Sequence, residues 1–299
     1  MSKHVYAVMG ATGHIGQVLT EELLKKGHTV RALGRDIKKL EALRVKGAEI
    51  HTPAADNPTA LAEVFKGADG VFTLIPPSFT EPDFLAYQNC IGEAIAKALK
   101  DSGVKHAVDL SSIGADKSSG TGPIVGLYRQ EKRLEAIAGL NNLHLRAAYF
   151  MENLFYLIPI IKGMSINGTP IRPDVKIPMI ATHDIGLKAA ELLDSLSFTG
   201  NTVFELGGPR SLTMVEATAL LGKAIGKPEL PYVQFPYEDA KKAMVGSGML
   251  ANLAGLMVEM NKGFNDGLME PTQVLTDGHQ GHFPLEEFVK FIAGAYAQN

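Results

Sequence analysis

The chain has 299 residues, 45% of them hydrophobic and 20% charged, with a formal net charge of −3. That length buries a full core and exceeds what one compact unit needs, so a main domain with a smaller appended region is expected. The mild acidity gives no reason to expect nucleic acid or an anionic membrane as partner, and no apolar run approaches the roughly 18 residues of a membrane span. Met1-Ser2-Lys3-His4 leads straight into an apolar strand and does not resemble a signal peptide, which points to a cytoplasmic protein. Cys90 is the only cysteine. It rules out an internal disulfide and a multi-thiolate metal site, and its neighbours Ile91, Ala94 and Ile95 predict a helix in which it is a small buried hydrophobe.

The first strand, Val5 to Met9, runs into Gly10-Ala11-Thr12-Gly13-His14-Ile15-Gly16. After it, Ile15, Val18, Leu19 and Leu23 mark one helical face, and Lys25-Lys26-Gly27 supplies a basic last turn and a stop. Strand, glycine turn and helix in this order suit a dinucleotide pyrophosphate. Gly10 permits the tight turn, Gly13 lets phosphate approach the backbone, and Gly16 lets helix and strand pack closely. The free N–H groups at the helix start then face the phosphates.

His28 to Leu33 is the second strand. An acidic residue about 20 positions beyond the glycines selects NAD by accepting from the ribose 2′-hydroxyl. Here the strand ends Leu33-Gly34-Arg35, with Lys38 and Lys39 a turn later. A cation there binds a 2′-phosphate, so NADP(H) is preferred over NAD(H), with nearby Asp36 the one opposing charge.

Ala48 to Thr52 is the third strand, and Asn57-Pro58 opens a helix from Thr59 to Phe65. Gly70 to Ile75 is a fourth, fully apolar strand that runs into Pro76-Pro77 at the carboxyl edge, where cofactors lie. Glu81 to Lys100 is a long helix stopped by Gly103, Ala107 to Leu110 the fifth strand, and Leu143 to Ala147 the sixth. This alternation predicts a doubly wound parallel α/β sheet, a Rossmann fold, over residues 1–153. From 154 to 299 the rhythm breaks into a smaller mixed α/β region that carries substrate or effector contacts, part of it packing back on the sheet. Thr213 and Glu216 form a capping-box pattern there. Met249, Leu250, Leu253, Leu256, Met257 and Met260 recur at helical spacing, and five of the eleven methionines lie between 244 and 269. They read as ordinary core packing or as a pliable lid over an apolar substrate. Thr182 and Asp184 precede a helical pattern and read as its cap, which argues against a charge relay at His183-Asp184. No second histidine or cysteine stands at ligand spacing, so no metal is expected.

GATGHIG, Arg35 after the second strand, LSSIGAD at 110 to 116, LRAAYFMENL at 145 to 154 and IPMIATHDIG at 177 to 186 together resemble the NmrA-like branch of the atypical short-chain dehydrogenase/reductases. The resemblance covers the first two thirds of the chain. It implies cofactor contacts from Gly10, Thr12, Gly13, His14, Ile15 and Gly16, from Arg35 and Lys39, from Ile75, Pro76 and Pro77, and from Phe150 to Asn153 beside the nicotinamide. Where relatives place an aspartate for the adenine this chain has Ala54, so that contact is lost or taken over by Asp56.

Tyr128-Arg-Gln-Glu-Lys132 spells the Y-x-x-x-K of the superfamily, with Ser111 or Ser112 as the third member. A phenol becomes a proton donor or base when a nearby ammonium stabilises its anion, and the serine orients the substrate oxygen. A count back from Arg146 gives another alignment. In NmrA-like relatives a catalytic-site lysine stands where this chain has Tyr128, and a structural glutamate where it has Lys132, which leaves Lys132 as a partner for Glu131 or Glu135. The leading expectation is an NADPH-dependent reductase of a small apolar carbonyl, quinone or conjugated substrate. One alternative is a regulator that senses the NADPH/NADP ratio without turnover and acts through a protein partner. Another is a sugar-nucleotide epimerase, disfavoured by the short interval from Tyr128 to Arg146 and by the lack of a basic diphosphate site.

Overall fold

The computed structural model describes residues 3–276 and 278–298. Six strands follow the predicted order: β1 (Val5–Val8), β2 (Thr29–Leu33), β3 (Glu49–His51), β4 (Gly70–Thr73), β5 (His106–Ser112) and β6 (Asn141–Ala147). Between them run α1 (His14–Lys25), α2 (Ile37–Val45), α3 (Pro58–Phe65), α4 (Phe84–Ser102) and α5 (Val125–Glu135). Local sequence sets these starts. Asp36, Asn57 and Asp83 each accept from the backbone N–H three residues on, and Pro58 stands in the first turn of α3, where its missing N–H costs nothing. The Asp83 cap begins α4 at Phe84, later than Glu81, and Gly103 at φ 69° ends it. Its buried face carries Phe84, Gln88, Ile91, Ala94, Ile95, Ala98 and Leu99. Cys90 precedes Ile91 by one position, about 100° around the helix, so it is exposed and not buried as its neighbours suggested.

The chain continues through β7 (Tyr149–Phe150), α6 (Ile158–Met164), β8 (Asn167–Thr169), β9 (Ile177–Ile180), α7 (Thr182–Ser195), β10 (Asn201–Leu206), β11 (Ser211–Leu212), α8 (Met214–Ala224), β12 (Tyr232–Gln234), α9 (Tyr237–Gly246), α10 (Ala251–Asn265) and α11 (Leu285–Gln298). The main sheet has seven strands in the order β10-β6-β5-β4-β1-β2-β3, all parallel, and the order reverses beside β1. A ligand crevice is expected at the carboxyl edge of that reversal. One core layer joins the sheet to α1, α2 and α7 and another joins it to α3 and α4, while a third lies under the small sheets β11-β9-β7 and β12-β8. A Cβ on Gly186 of α7 would lie 2.8 Å from the Ile15 carbonyl, so α7 crosses α1 as closely as its backbone allows.

Edge strand β10 does not face solvent bare. Thr272 and Gln273 donate their backbone N–H groups to the buried Glu205 carboxylate at 2.7 and 2.8 Å, and the Gln273 amide reaches the Val203 carbonyl. Thr213 and Glu216 form the predicted capping box on α8. The methionine-rich stretch is two helices, broken at Gly248 (φ 98°). Among the described residues no helix is long and apolar enough to cross a membrane.

Candidate functional site

The turn from β1 to α1 is built from backbone. Gly10 has φ 64°, its carbonyl accepts from Gly13 N–H at 2.9 Å, and Ala11 N–H donates to the Leu33 carbonyl of β2. A Cβ on Gly16 would lie 2.2 Å from the Gly10 oxygen, inside any tolerable contact, whereas one on Gly13 would lie 3.3 Å from it. Gly16 is therefore required by packing, and Gly13, which is exposed, keeps the approach to the helix clear. Helices α2 to α4 have side-chain caps, but α1 has none and no acidic residue in its first turn. No side chain therefore caps the positive end of α1 at the carboxyl end of β1, which fits an anionic phosphate. Thr12 is half-buried, His14 exposed and Ile15 buried in the core between sheet and α1.

Arg35 and Lys39 are both exposed beyond the carboxyl end of β2. Asp36, the opposing charge, caps α2 by accepting from Lys39 N–H at 3.2 Å. Strand β4 ends at Thr73, shorter than predicted, so Ile75, Pro76 and Pro77 form the loop above the sheet edge. Ala54 and Asp56 are both exposed in the turn after β3. Phe150 and Asn153 are half-buried, Phe150 in β7 and Asn153 in the 3₁₀ turn Met151–Leu157.

The serine-tyrosine-lysine set is distributed unevenly. Successive residues of β5 point to opposite faces, so Ser111 and Ser112 cannot share a role. Ser111 is buried and donates to Glu131 Oε1 at 2.5 Å, whereas Ser112 is half-buried and donates to the Ile113 carbonyl. Tyr128 is half-buried on α5, with the Lys132 ammonium 5.9 Å from its ring centroid. Lys132 is itself exposed and paired with Glu135 at 2.7 Å. The buried carboxylate that meets Arg146 is Glu131, one position before Lys132, at 2.7 and 2.9 Å. Burial pulls the Arg146 guanidinium down, and the Glu131 bond together with the charges of Glu131, Asp116 and Glu205 leaves it above its usual range. Together these contacts lock α5 to β5 and β6.

Among the described residues Glu131, Glu135 and His144 bring one ligand atom each within 4.8 Å of one another. Arg146 and Ser111 occupy the first carboxylate and Lys132 the second, so cations of the protein already neutralise the group. Thr182 and Asp184 do not cap α7 as expected. Thr182 N–H and hydroxyl donate to Glu152, and Asp184 accepts from Phe283 N–H, because the chain after β7 and the segment before α11 both fold over that end. Glu152 lies within the quoted LRAAYFMENL stretch, but only the fold shows what it contacts.

Helix α10 packs on the loops that leave two of the central strands. A Cβ on Gly122 would lie 2.0 Å from the Leu256 carbonyl, Glu259 accepts from Gly120 N–H, and Asn252 accepts from Phe84 N–H at the start of α4. The helix thus clamps the loops that follow β4 and β5. Met269 belongs to the third core and Met260 packs on it, while Met244, Met249 and Met257 are half-buried and join none of the three cores.

The profile of the NmrA-like family matches residues 2–288. An NAD(P)H azoreductase of Xenophilus azovorans is 30% identical over 255 residues, which cover 85% of each chain. The NADPH-dependent quinone oxidoreductase of Escherichia coli, solved with NADPH, superposes with a TM-score of 0.82 at 22% identity, covering 96% of this chain and 99% of that one. The negative transcriptional regulator NmrA, solved with NADP, gives 0.73 at 20% identity over 100% and 98%. At those identities the two structural likenesses speak for the fold.

Proposed function

We propose that this chain, which belongs to the NmrA-like family, is an NAD(P)H-dependent reductase of a small apolar carbonyl, quinone, azo or other conjugated substrate. The observation that carries this reading is the uncapped, glycine-walled start of α1 at the sheet's reversal, a fit for a dinucleotide pyrophosphate. The azoreductase likeness supports the reaction class. Gly10 to Gly16 hold the pyrophosphate, Arg35 and Lys39 the 2′-phosphate of NADP(H), Ile75 to Pro77 the middle of the cofactor, and Phe150 and Asn153 the nicotinamide end. Bound there, the cofactor supplies hydride.

The chain's own residues supply the proton. Tyr128 holds it at its phenol oxygen for the substrate heteroatom, and the Lys132 ammonium favours the anion left behind. Ser112, not Ser111, is the serine that orients the substrate, because Ser111 is buried against Glu131 whereas Ser112 is half-buried and donates only to the neighbouring Ile113 carbonyl. Met257 and its neighbours shape an apolar cover that excludes water. NADPH consumption against a panel of quinones, azo dyes, aldehydes and enones tests this reading. A regulator without turnover is the second reading, favoured by the pairing of Lys132 with Glu135 instead of with the phenol. Tight NADPH binding with no substrate turned over would establish it.

A further inference from the structure

Neither Pro76 nor Pro77 has an N–H, and the Pro76 carbonyl lies past the last residue of β4. It accepts from the Tyr87 hydroxyl at 2.9 Å. Tyr87 is half-buried in the first turn of α4, its ring 6.5 Å from that of Phe84. With Ile75 of the β4 edge and Ala55 of the turn after β3, it packs on the core between the sheet and α4. Burial holds its phenol above the usual tyrosine range; Arg35 acts against that rise, and Glu81 and Asp56 add to it. Tyr87 thus shares one core with the β3 turn and the β4 edge and lies within electrostatic reach of Arg35, the residue read above as holding the adenosine 2′-phosphate.

A phenol has one proton to donate. Tyr87 gives it to Pro76, so any other group meeting its oxygen finds only lone pairs. Such an oxygen accepts from a donor and disfavours an anion. Arg35 is the converse, donors only. In adenosine 2′-phosphate the exocyclic amine of the base is a donor and the phosphate is not, so the two side chains sort the two groups. We propose that Tyr87 reads the adenine, its hydroxyl oxygen accepting from the N6 amine, in the role an aspartate fills in relatives and Ala54 cannot. The inference rests on the cofactor reading above. Asp56, exposed in the same turn, is the rival acceptor.

Calorimetry with NADPH and its deamino analogue, in which hypoxanthine replaces adenine, separates these. Wild type is expected to bind NADPH about 3–10-fold more tightly than the analogue, the range of one net hydrogen bond. Tyr87→Phe should bring that ratio close to one while leaving the NADPH-to-NADH ratio unchanged, and Asp56→Ala should leave both ratios alone. Equal binding of NADPH and its analogue by wild type overturns the assignment. So does a ratio that survives Tyr87→Phe or collapses in Asp56→Ala, and so does loss of both ratios in Tyr87→Phe, which would make the residue a brace for the loop. Wild type that binds no NADPH overturns the cofactor reading itself and this inference with it.

Discussion

Between Gly10 and Gly16 the chain meets its surroundings with backbone, whereas the stretch from Met244 to Met260, which α10 ends, offers thioethers and leucines. The first stretch has hardly any freedom: Gly10 sits at positive φ, and Gly16 has no room for one more carbon. The second stretch has freedom to spare, because Met244 of α9, Met249 between the helices and Met257 of α10 are half-buried outside every core cluster and repack at low cost. A rigid wall suits a ligand that is always the same, and a compliant one suits substrates that vary in shape.

The sharpest way to break that contrast is within the rigid wall. Gly13→Val puts a branched side chain in the phosphate approach, and NADPH binding should fall below detection by calorimetry while the melting temperature of the ligand-free protein changes little. Gly16→Val drives a Cβ into the Gly10 carbonyl and should destabilise the fold itself. If Gly13→Val still binds NADPH tightly, the pyrophosphate lies elsewhere.

Next in size is the proton donor. Tyr128→Phe keeps the ring and removes the hydroxyl, so turnover on any accepted substrate should fall about 10²–10⁴-fold with NADPH affinity unchanged. Near-full activity would move the donor to Ser112 or to water. Arg35→Ala acts on affinity alone. It should cost about 1.5–3 kcal/mol in NADPH binding, as for a hydrogen bond to a charged group, with NADH nearly unaffected. Equal losses for both cofactors would remove Arg35 from the 2′-phosphate.

The two walls were unequally legible in the sequence for the same physical reason that they differ in stiffness. Gly10, Gly13 and Gly16 answer a local conformational demand, so their spacing carries the turn, the helix start and the sheet around it. Arg35 follows because a strand end fixes where its residue emerges. The α5 contacts depend on side chains from other strands: that Ser111 belongs to Glu131, and that Glu131 meets Arg146, needs β5 and β6 set side by side. Tyr87 was missed because its partner is a carbonyl, which no residue type marks. Cys90 was misread because one position on a helix separates the buried face from solvent.

The smallest effect is expected where the rigid wall is anchored from behind. Asp194 of α7 binds Lys26, just past α1, at 2.6 Å and His28 at 2.8 Å, tying the second half of the chain to the helix that carries the cradle. The hydrogen bond from Lys26 holds the Asp194 carboxyl below its usual range; burial opposes this and His28 assists it. A depressed carboxyl adds stability above the unfolded value near 3.9 and loses it as pH falls through the lower folded value. Asp194→Asn should therefore cost about 1 kcal/mol at pH 7 by urea denaturation, the size of a partly exposed charged contact. The gap to wild type should close as pH drops from about 5 toward 2, since the other carboxylates titrate alike in both proteins. Lys26 and Gly13 flank α1 at its opposite ends, about 20 Å apart at 1.5 Å per residue, so NADPH affinity at neutral pH should not move. A stability gap that stays constant into acid would mean that packing between α1 and α7, not the Asp194 charge, holds the cradle in place.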